Sequence, residues 1–301
     1  MRGLAYAALV IAGWRVPAGL DIYMPVPEEN PLTREKIAIG RRLFFDRRLS
    51  RDRTLSCATC HEPKRAFTDG RAVAAGLGGN RGTRNTPTLV NRGYGWAHFW
   101  DGRAPSLEKQ VLEPILSPKE LSLTVEELSV RVRMSSNEVA RALATYVRSI
   151  RSGDSPFDRY INGKRSALTP QQQQGLALFR GKGNCTACHA GPNFTDERFH
   201  NTGVAWRDNA LLDPGRFTVT GNPSDRGAFK TPTLREVART MPYMHDGSLA
   251  TLEDVIDYYD RGGNVNPGLD RDLRPLKLAP SEKQALIAFL RSLSGKIHEG
   301  L

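Results

Sequence analysis

Cys57-Ala-Thr-Cys60-His61 and Cys185-Thr-Ala-Cys188-His189 are two copies of C-x-x-C-H, and together they use all four cysteines of the 301-residue chain. This pattern is the attachment site of c-type haem: each thiol adds to a haem vinyl group, and the adjacent histidine reaches the iron. Two other chemistries use paired cysteines. A shared zinc site needs both pairs in one place, yet 124 residues separate them and each carries a histidine directly after its second cysteine. Two disulfides account for the cysteines but leave the histidines without a role. The pattern therefore predicts two covalent c-type haems.

Apolar residues make up 39% of the chain and the mean hydropathy is −0.44, modest for a chain with room for two domains. A haem buried in each domain supplies the missing apolar surface. Met1-Arg2, the apolar run Gly3 to Trp14 and Val16-Pro17-Ala18 together resemble a signal peptide spanning residues 1–18. The run is too short to span a bilayer, so no stable membrane insertion is expected. Covalent haem attachment also takes place outside the cytoplasm, so a periplasmic protein is expected. The formal charge is +11, from 43 basic and 32 acidic residues. Four haem propionates would remove about four charges and leave a positive surface suited to an acidic redox partner. The arginines are dispersed and no nucleic-acid-binding motif is present, so nucleic acid is not an expected partner.

The chain repeats itself. Leu32-Thr33 opens a helical pattern before the first haem motif, and Leu168-Thr169-Pro170 opens a matching one before the second. Each threonine is a candidate N-cap, and Pro170 sits at the first helical position. After the motifs come Thr86-Pro87-Thr88-Leu89 and Thr231-Pro232-Thr233-Leu234. Fifteen residues beyond each first threonine stands an Asp-Gly pair, Asp101-Gly102 or Asp246-Gly247, leading at equal offset into the helix starts Ser106 and Thr251. Strand-like alternation is almost absent. The fold expected is all-α: two tandem cytochrome-c-like domains, 19–152 and 153–301, joined near Ser152-Gly153-Asp154-Ser155-Pro156.

A haem held by one histidine keeps a sixth position. Met, His or Tyr there tunes potential, whereas an open position admits peroxide or dioxygen. His98, His200, His245 and His298, with Met24, Met134, Met241 and Met244, are the remaining candidates after the leader.

Asn85-Thr-Pro-Thr, Phe99-Trp100-Asp101-Gly102-Arg103, Gln110, Ser117-Pro-Lys-Glu120-Leu121 and Pro242-Tyr243-Met244-His245-Asp246-Gly247 carry a clear likeness over residues 25–295. The chain resembles the dihaem bacterial cytochrome c peroxidases, a family that includes the MauG-like enzymes. The resemblance implies that the haem on His61 binds and cleaves hydrogen peroxide, while the haem on His189 stores or relays electrons. It implies distal roles for Gln110 and Glu120, with the carboxylate moving a proton between the peroxide oxygens. Trp100 would lie between the haems and assist electron transfer. Asn85, with the backbone carbonyls of Thr240 and Pro242, would bind a calcium ion.

Two departures from the peroxidase pattern bear on function. Where many of these peroxidases place a blocking histidine, sixteen residues after the first haem histidine, this chain has Leu77. Leucine cannot ligate iron, so the peroxidatic position is expected to be open at rest. Where the peroxidases place an axial methionine, fourteen residues after His245, this chain has Tyr259, as MauG-like enzymes do. Thr251-x-x-Asp254 reads as the start of a short helix and Gly262 as its stop, and Tyr258 points about 100° away from Tyr259. The function expected is peroxide-dependent oxidation of a Trp or Tyr side chain on a partner protein. The alternatives are a peroxidase drawing electrons from a small cytochrome c or cupredoxin, and a dihaem electron carrier without enzyme activity.

Overall fold

The computed structural model describes residues 15–300. Its helices in the first half are α1 Arg34–Phe44, α2 Cys57–Cys60, α3 Leu107–Gln110, α4 Leu112–Leu116, α5 Val125–Val132 and α6 Ser136–Arg148. The second half contributes α7 Pro156–Ile161, α8 Pro170–Arg180, α9 Phe217–Thr220, α10 Leu252–Asp260 and α11 Pro280–Arg291. The threonine signals work as caps. Thr33 accepts from the Lys36 amide, while Thr169 and Thr251 form capping boxes with Gln172 and Asp254.

The protein is mostly helical, although not purely so. Among the described residues are three two-stranded antiparallel ladders: β1 Arg151–Gly153 with β6 Lys296–His298, β2 Phe199–His200 with β5 Phe229–Lys230, and β3 Trp206–Arg207 with β4 Ala210–Leu211. They satisfy the backbone polar groups of long loops that no helix could absorb. They are too short to leave an alternating sequence pattern.

One core cluster draws its buried residues from Ile37 to Ile150, and a second from Phe157 to Leu293. Each is built on one helix crossing, α1 against α6 and α8 against α11. The two crossings are made alike. A Cβ on Gly40 would sit 2.0 Å from the Ala142 carbonyl oxygen and 2.8 Å from the Tyr146 Cβ. A Cβ on Gly175 would sit 1.9 Å from the Ala285 carbonyl oxygen and 2.7 Å from the Phe289 Cβ. In both halves the missing side chain lets one helix backbone touch the other.

The repeat continues through the loops, bond for bond. Thr88 and Thr233 donate their hydroxyls to the Ala66 and Asn193 carbonyls, both at 2.6 Å. His98 pairs with Ala104, and Tyr243 with Leu249, around left-handed Phe99 and Met244. The halves then exchange a reciprocal pair of bonds. The Asn85 amide donates to the His245 carbonyl at 2.6 Å, and the Lys230 amide donates to the Trp100 carbonyl at 2.8 Å. Asn85 and Lys230 each precede a Thr-Pro-Thr-Leu segment, and Trp100 and His245 each precede an Asp-Gly pair.

Residues 1–14 of the expected signal peptide lie outside the described residues. Ala18 donates its amide to Asp154 at 3.1 Å, and the Gly19 carbonyl accepts from Arg235, which is ion-paired with buried Asp158 at 2.6 Å. No helix among the described residues is long and apolar enough to cross a membrane.

Gly40→Ala is expected to destabilise the protein by about 1–3 kcal/mol or more, because the obstructing atom is backbone and cannot swing aside. A urea-unfolding midpoint equal to that of the wild type would show that the crossing is looser than described.

Candidate haem and peroxide sites

The first motif opens with Ser56 and Thr59 forming a capping box, which turns Cys57–Cys60 into a single helical turn. Both thiols and the His61 ring line one cavity together with Phe44, Leu89, Leu143 and Val147. The His61 Nδ1 is 3.0 Å from the Phe67 carbonyl, which fixes the ring through the nitrogen that iron does not need. In the second motif the His189 Nδ1 meets the Phe194 carbonyl at 2.8 Å in the same way. Burial lowers both imidazoles below the ordinary histidine value, which favours the neutral form that an iron ligand needs.

All four cysteines are free thiols. Cys57 packs on the first core cluster and Cys185 on the second, which separates the pairs and removes the basis for a shared zinc site. Burial pushes Cys57 and Cys185 up to about 12 and Cys60 up to about 11. Thiols free of disulfides beside an oriented histidine and an apolar cavity suit thioether attachment of haem.

Gln110, Pro114 and Glu120 line the same cavity as Cys57, Cys60 and His61. Gln110 ends α3 and Pro114 lies one turn later in α4, so the two share a face. Glu120 returns to that face through a turn in which its amide donates to Ser117 and the Leu121 amide to Pro114. Glu120 is an exposed residue of that lining. Desolvation by the surrounding protein is still the leading influence and raises it above the ordinary carboxylate value, with Arg103 opposing. A carboxyl tuned this way can both take and return a proton.

Leu77 does not line the cavity; its amide donates to the Glu120 carbonyl at 3.0 Å. His98, another histidine on the same half, is also absent from the lining and lies 3.5 Å from Arg92. Trp100 is half-buried, donates its Nε1–H to the Asn85 carbonyl at 2.9 Å and receives the Lys230 amide, so it ties the two halves together.

Tyr258 and Tyr259 part as their helical positions require. The Tyr258 hydroxyl donates to the Thr202 carbonyl at 2.8 Å and accepts from the Asn264 amide at 3.2 Å. The Tyr259 hydroxyl has no hydrogen-bond partner among the described residues. Burial raises the Tyr259 phenol far above its ordinary value; Tyr258, Cys188 and Cys185 lie near enough to push the same way. The repeat adds a second observation, which the sequence reading missed. Fourteen residues beyond Trp100 is Pro114, and fourteen beyond His245 is Tyr259. Pro114 faces the first cavity with a side chain that cannot bind a metal. At Met241, by contrast, the side chain is half-exposed.

The oxygens expected to bind calcium are left free of protein donors among the described residues. Asn85 is buried and donates its side-chain amide to the Arg71 carbonyl at 2.7 Å, which leaves Oδ1 for another partner. Among the described residues, neither the Thr240 nor the Pro242 carbonyl accepts a hydrogen bond. Neutral oxygens of this kind suit a hard cation.

Paired C-x-x-C-H turns, a polar distal cavity and a two-half helical scaffold define a class, and comparison with known proteins agrees. The chain belongs to the dihaem cytochrome c peroxidase family, whose members carry two c-type haems, and it is a peroxide-dependent dihaem oxidoreductase. The family's own description, di-haem cytochrome c peroxidase, matches residues 34–166. The chain is 40% identical over 291 residues to the methylamine utilization protein MauG of Methylorubrum extorquens, covering 91% of this chain and 82% of that protein. It is 37% identical over 317 residues to the cytochrome-c peroxidase IdrP1 of a Pseudomonas species, covering 90% and 84%. The crystal structure of a MauG-like protein associated with microbial copper homeostasis matches with a TM-score of 0.85 at 33% identity, covering 94% of this chain and 96% of that one.

Tyr258→Phe is expected to cost about 1–3 kcal/mol, since it strands the partly buried Thr202 carbonyl and Asn264 amide. Tyr259→Phe should leave the unfolding midpoint of the haem-free chain almost unchanged. Equal losses from both substitutions would mean that the Tyr259 hydroxyl serves the fold.

Proposed function

We propose that this protein is a periplasmic, MauG-like dihaem oxidase that uses hydrogen peroxide to oxidise a Trp or Tyr side chain on a partner protein. In this reading residues 1–18 are a signal peptide, and 19–152 and 153–301 are tandem cytochrome-c-like domains. Cys57, Cys60 and His61 hold one covalent haem; Cys185, Cys188 and His189 hold the other. The haems supply the redox chemistry of iron. Gln110 orients the peroxide. Glu120 takes the proton from one peroxide oxygen and delivers it to the other, so the O–O bond breaks with water as the leaving group. Two electrons from the partner and two protons complete the reduction of peroxide to two waters. The partner is too large to enter the first cavity, so its electrons arrive through the C-terminal half, with Trp100 between the two sites. Calcium on Asn85, Thr240 and Pro242 holds that junction together.

The observation that carries this reading is Tyr259. Its hydroxyl has no hydrogen-bond partner among the described residues, and Cys188 and Cys185 lie near enough to influence it. By spacing in the repeat it corresponds to Pro114, which lines the cavity with Cys57 and Cys60. A phenolate ligand stabilises oxidised iron, which suits an enzyme that must hold oxidising equivalents while a slow protein substrate docks. The 37% identity to a cytochrome-c peroxidase favours the second reading, detoxification of peroxide with electrons from a small cytochrome c or cupredoxin. A non-enzymatic carrier is set aside, because it has no use for the polar pair Gln110 and Glu120.

Three measurements test these assignments. Glu120→Gln should slow the reaction with peroxide by about 10²–10⁴ while leaving the resting spectrum unchanged; near-wild-type kinetics would make the carboxylate mere surface. The oxidised wild type should lack the methionine–iron band at about 695 nm, and its presence would replace Tyr259 with a thioether ligand. Sustained peroxide turnover with reduced small cytochrome c, at rates typical of enzymes (about 1–10³ per second), would return the chain to the ordinary peroxidases.

A further inference from the structure

Arg92, Lys230 and Glu197 form a buried charged cluster between the halves that none of the assigned roles uses. Lys230 is 7% exposed. Its Nζ lies 3.3 Å from Glu197 Oε1 and donates to the Thr231 carbonyl at 2.8 Å. Arg92 grips the same carboxylate with both terminal nitrogens, at 2.7 and 3.1 Å, and donates to the Ala97 carbonyl at 2.9 Å. The adjacent His98 adds no charge, because burial and then Arg92 push it down to about 3. The next carboxylate along the chain, Asp196, is held by His200 at 2.9 Å. Two cations therefore share one carboxylate in a place with little access to water. In the protein alone, burial brings Lys230 down to about 7. Two buried cations on one carboxylate leave the cluster one negative charge short, which is unfavourable unless a further anion completes it.

The internal repeat shows what this place corresponds to. Lys230 matches Asn85, and Ala97, three residues before Trp100, matches Pro242, three residues before His245. The cluster thus occupies, in the related half, the position of the proposed calcium site. One side presents bare oxygens to a cation, and the other supplies the cation from its own side chains. Lys230 also adjoins the second haem motif: its charge is felt at His189, and the Thr231 carbonyl beside it accepts from Thr195, next to Phe194, which orients that histidine.

We propose that the Lys230–Arg92–Glu197 cluster is an anion site that receives a propionate carboxylate of the haem on Cys185, Cys188 and His189, and that its net positive charge raises that haem's reduction potential. The inference rests on the two-haem reading above. An ammonium and a guanidinium are the groups that recognise a carboxylate, and a fixed positive charge favours the reduced, more electron-rich haem.

Spectroelectrochemical titration of the full haem-loaded protein tests it with variants of opposite sign. Lys230→Met should lower the reduction equilibrium constant of the C-terminal haem about tenfold, equivalent to about 59 mV for one electron. Glu197→Gln should raise it by a similar factor, and Lys230→Arg should stay within about twofold of wild type. If Lys230→Met does not accumulate, the Gln and Arg variants decide the matter alone. Potentials unmoved by Glu197→Gln, or moved in the same direction by Lys230→Met and Glu197→Gln, would overturn the proposal. Haem content by the pyridine haemochrome method separates the two levels: fewer than two haems per wild-type chain refutes the two-haem reading, whereas two haems with unmoved potentials refutes this inference alone.

Discussion

The reciprocal exchange of backbone hydrogen bonds, Asn85 to His245 and Lys230 to Trp100, is the constraint on which the functional geometry depends. Each bond joins the segment behind one haem motif to the segment ahead of the Asp-Gly turn in the other half. Neither half can shift against the other without breaking both bonds, and both are sheltered, so leaving them unmade would be expensive. Trp100 is fixed twice over, through its carbonyl and through its indole nitrogen on Asn85. The ring proposed to relay electrons is therefore held by the same contacts that hold the halves together.

A duplicated scaffold has been turned to two different uses at matched positions. The glycine-mediated helix crossings, the threonine-to-carbonyl bonds and the histidine-orienting carbonyls are kept in both halves. What differs is one residue at a time: Pro114 against Tyr259, Asn85 against Lys230, Trp100 against His245. His245 spends its ring on a stack with Phe229, centroids 3.6 Å apart, and serves packing. Pro114 cannot bind a metal, while in the proposed reading Tyr259 would offer one an oxygen. The chemical asymmetry between the halves comes from substitution within the repeat, with the backbone geometry left intact.

Much of this was legible before the structure, because covalent chemistry and chain spacing write directly into sequence. The haem motifs, the helix starts at Thr33, Thr169 and Thr251, the stop at Gly262 and the split between Tyr258 and Tyr259 all follow from local rules. Gln110 and Glu120 were visible only through family resemblance. Nine residues and a return turn separate them, and no periodicity reveals that the turn brings Glu120 into the cavity lining with Pro114. The three short ladders were missed because two- and three-residue strands carry no alternation. The Arg92–Lys230–Glu197 cluster was missed because its members come from three distant segments, although the equal offsets of Asn85 and Lys230 from their Thr-Pro-Thr-Leu segments held the clue.

In the proposed reading the cavity over His61, lined by Gln110 and Glu120 but not by Leu77, is open to peroxide in the resting protein. Electron paramagnetic resonance of the oxidised, as-isolated protein, before and after one equivalent of hydrogen peroxide, tests it most directly. One high-spin and one low-spin ferric haem, with the high-spin signal lost on adding peroxide and no reductant present, is the required result. Two low-spin haems that ignore peroxide until one is reduced would contradict it.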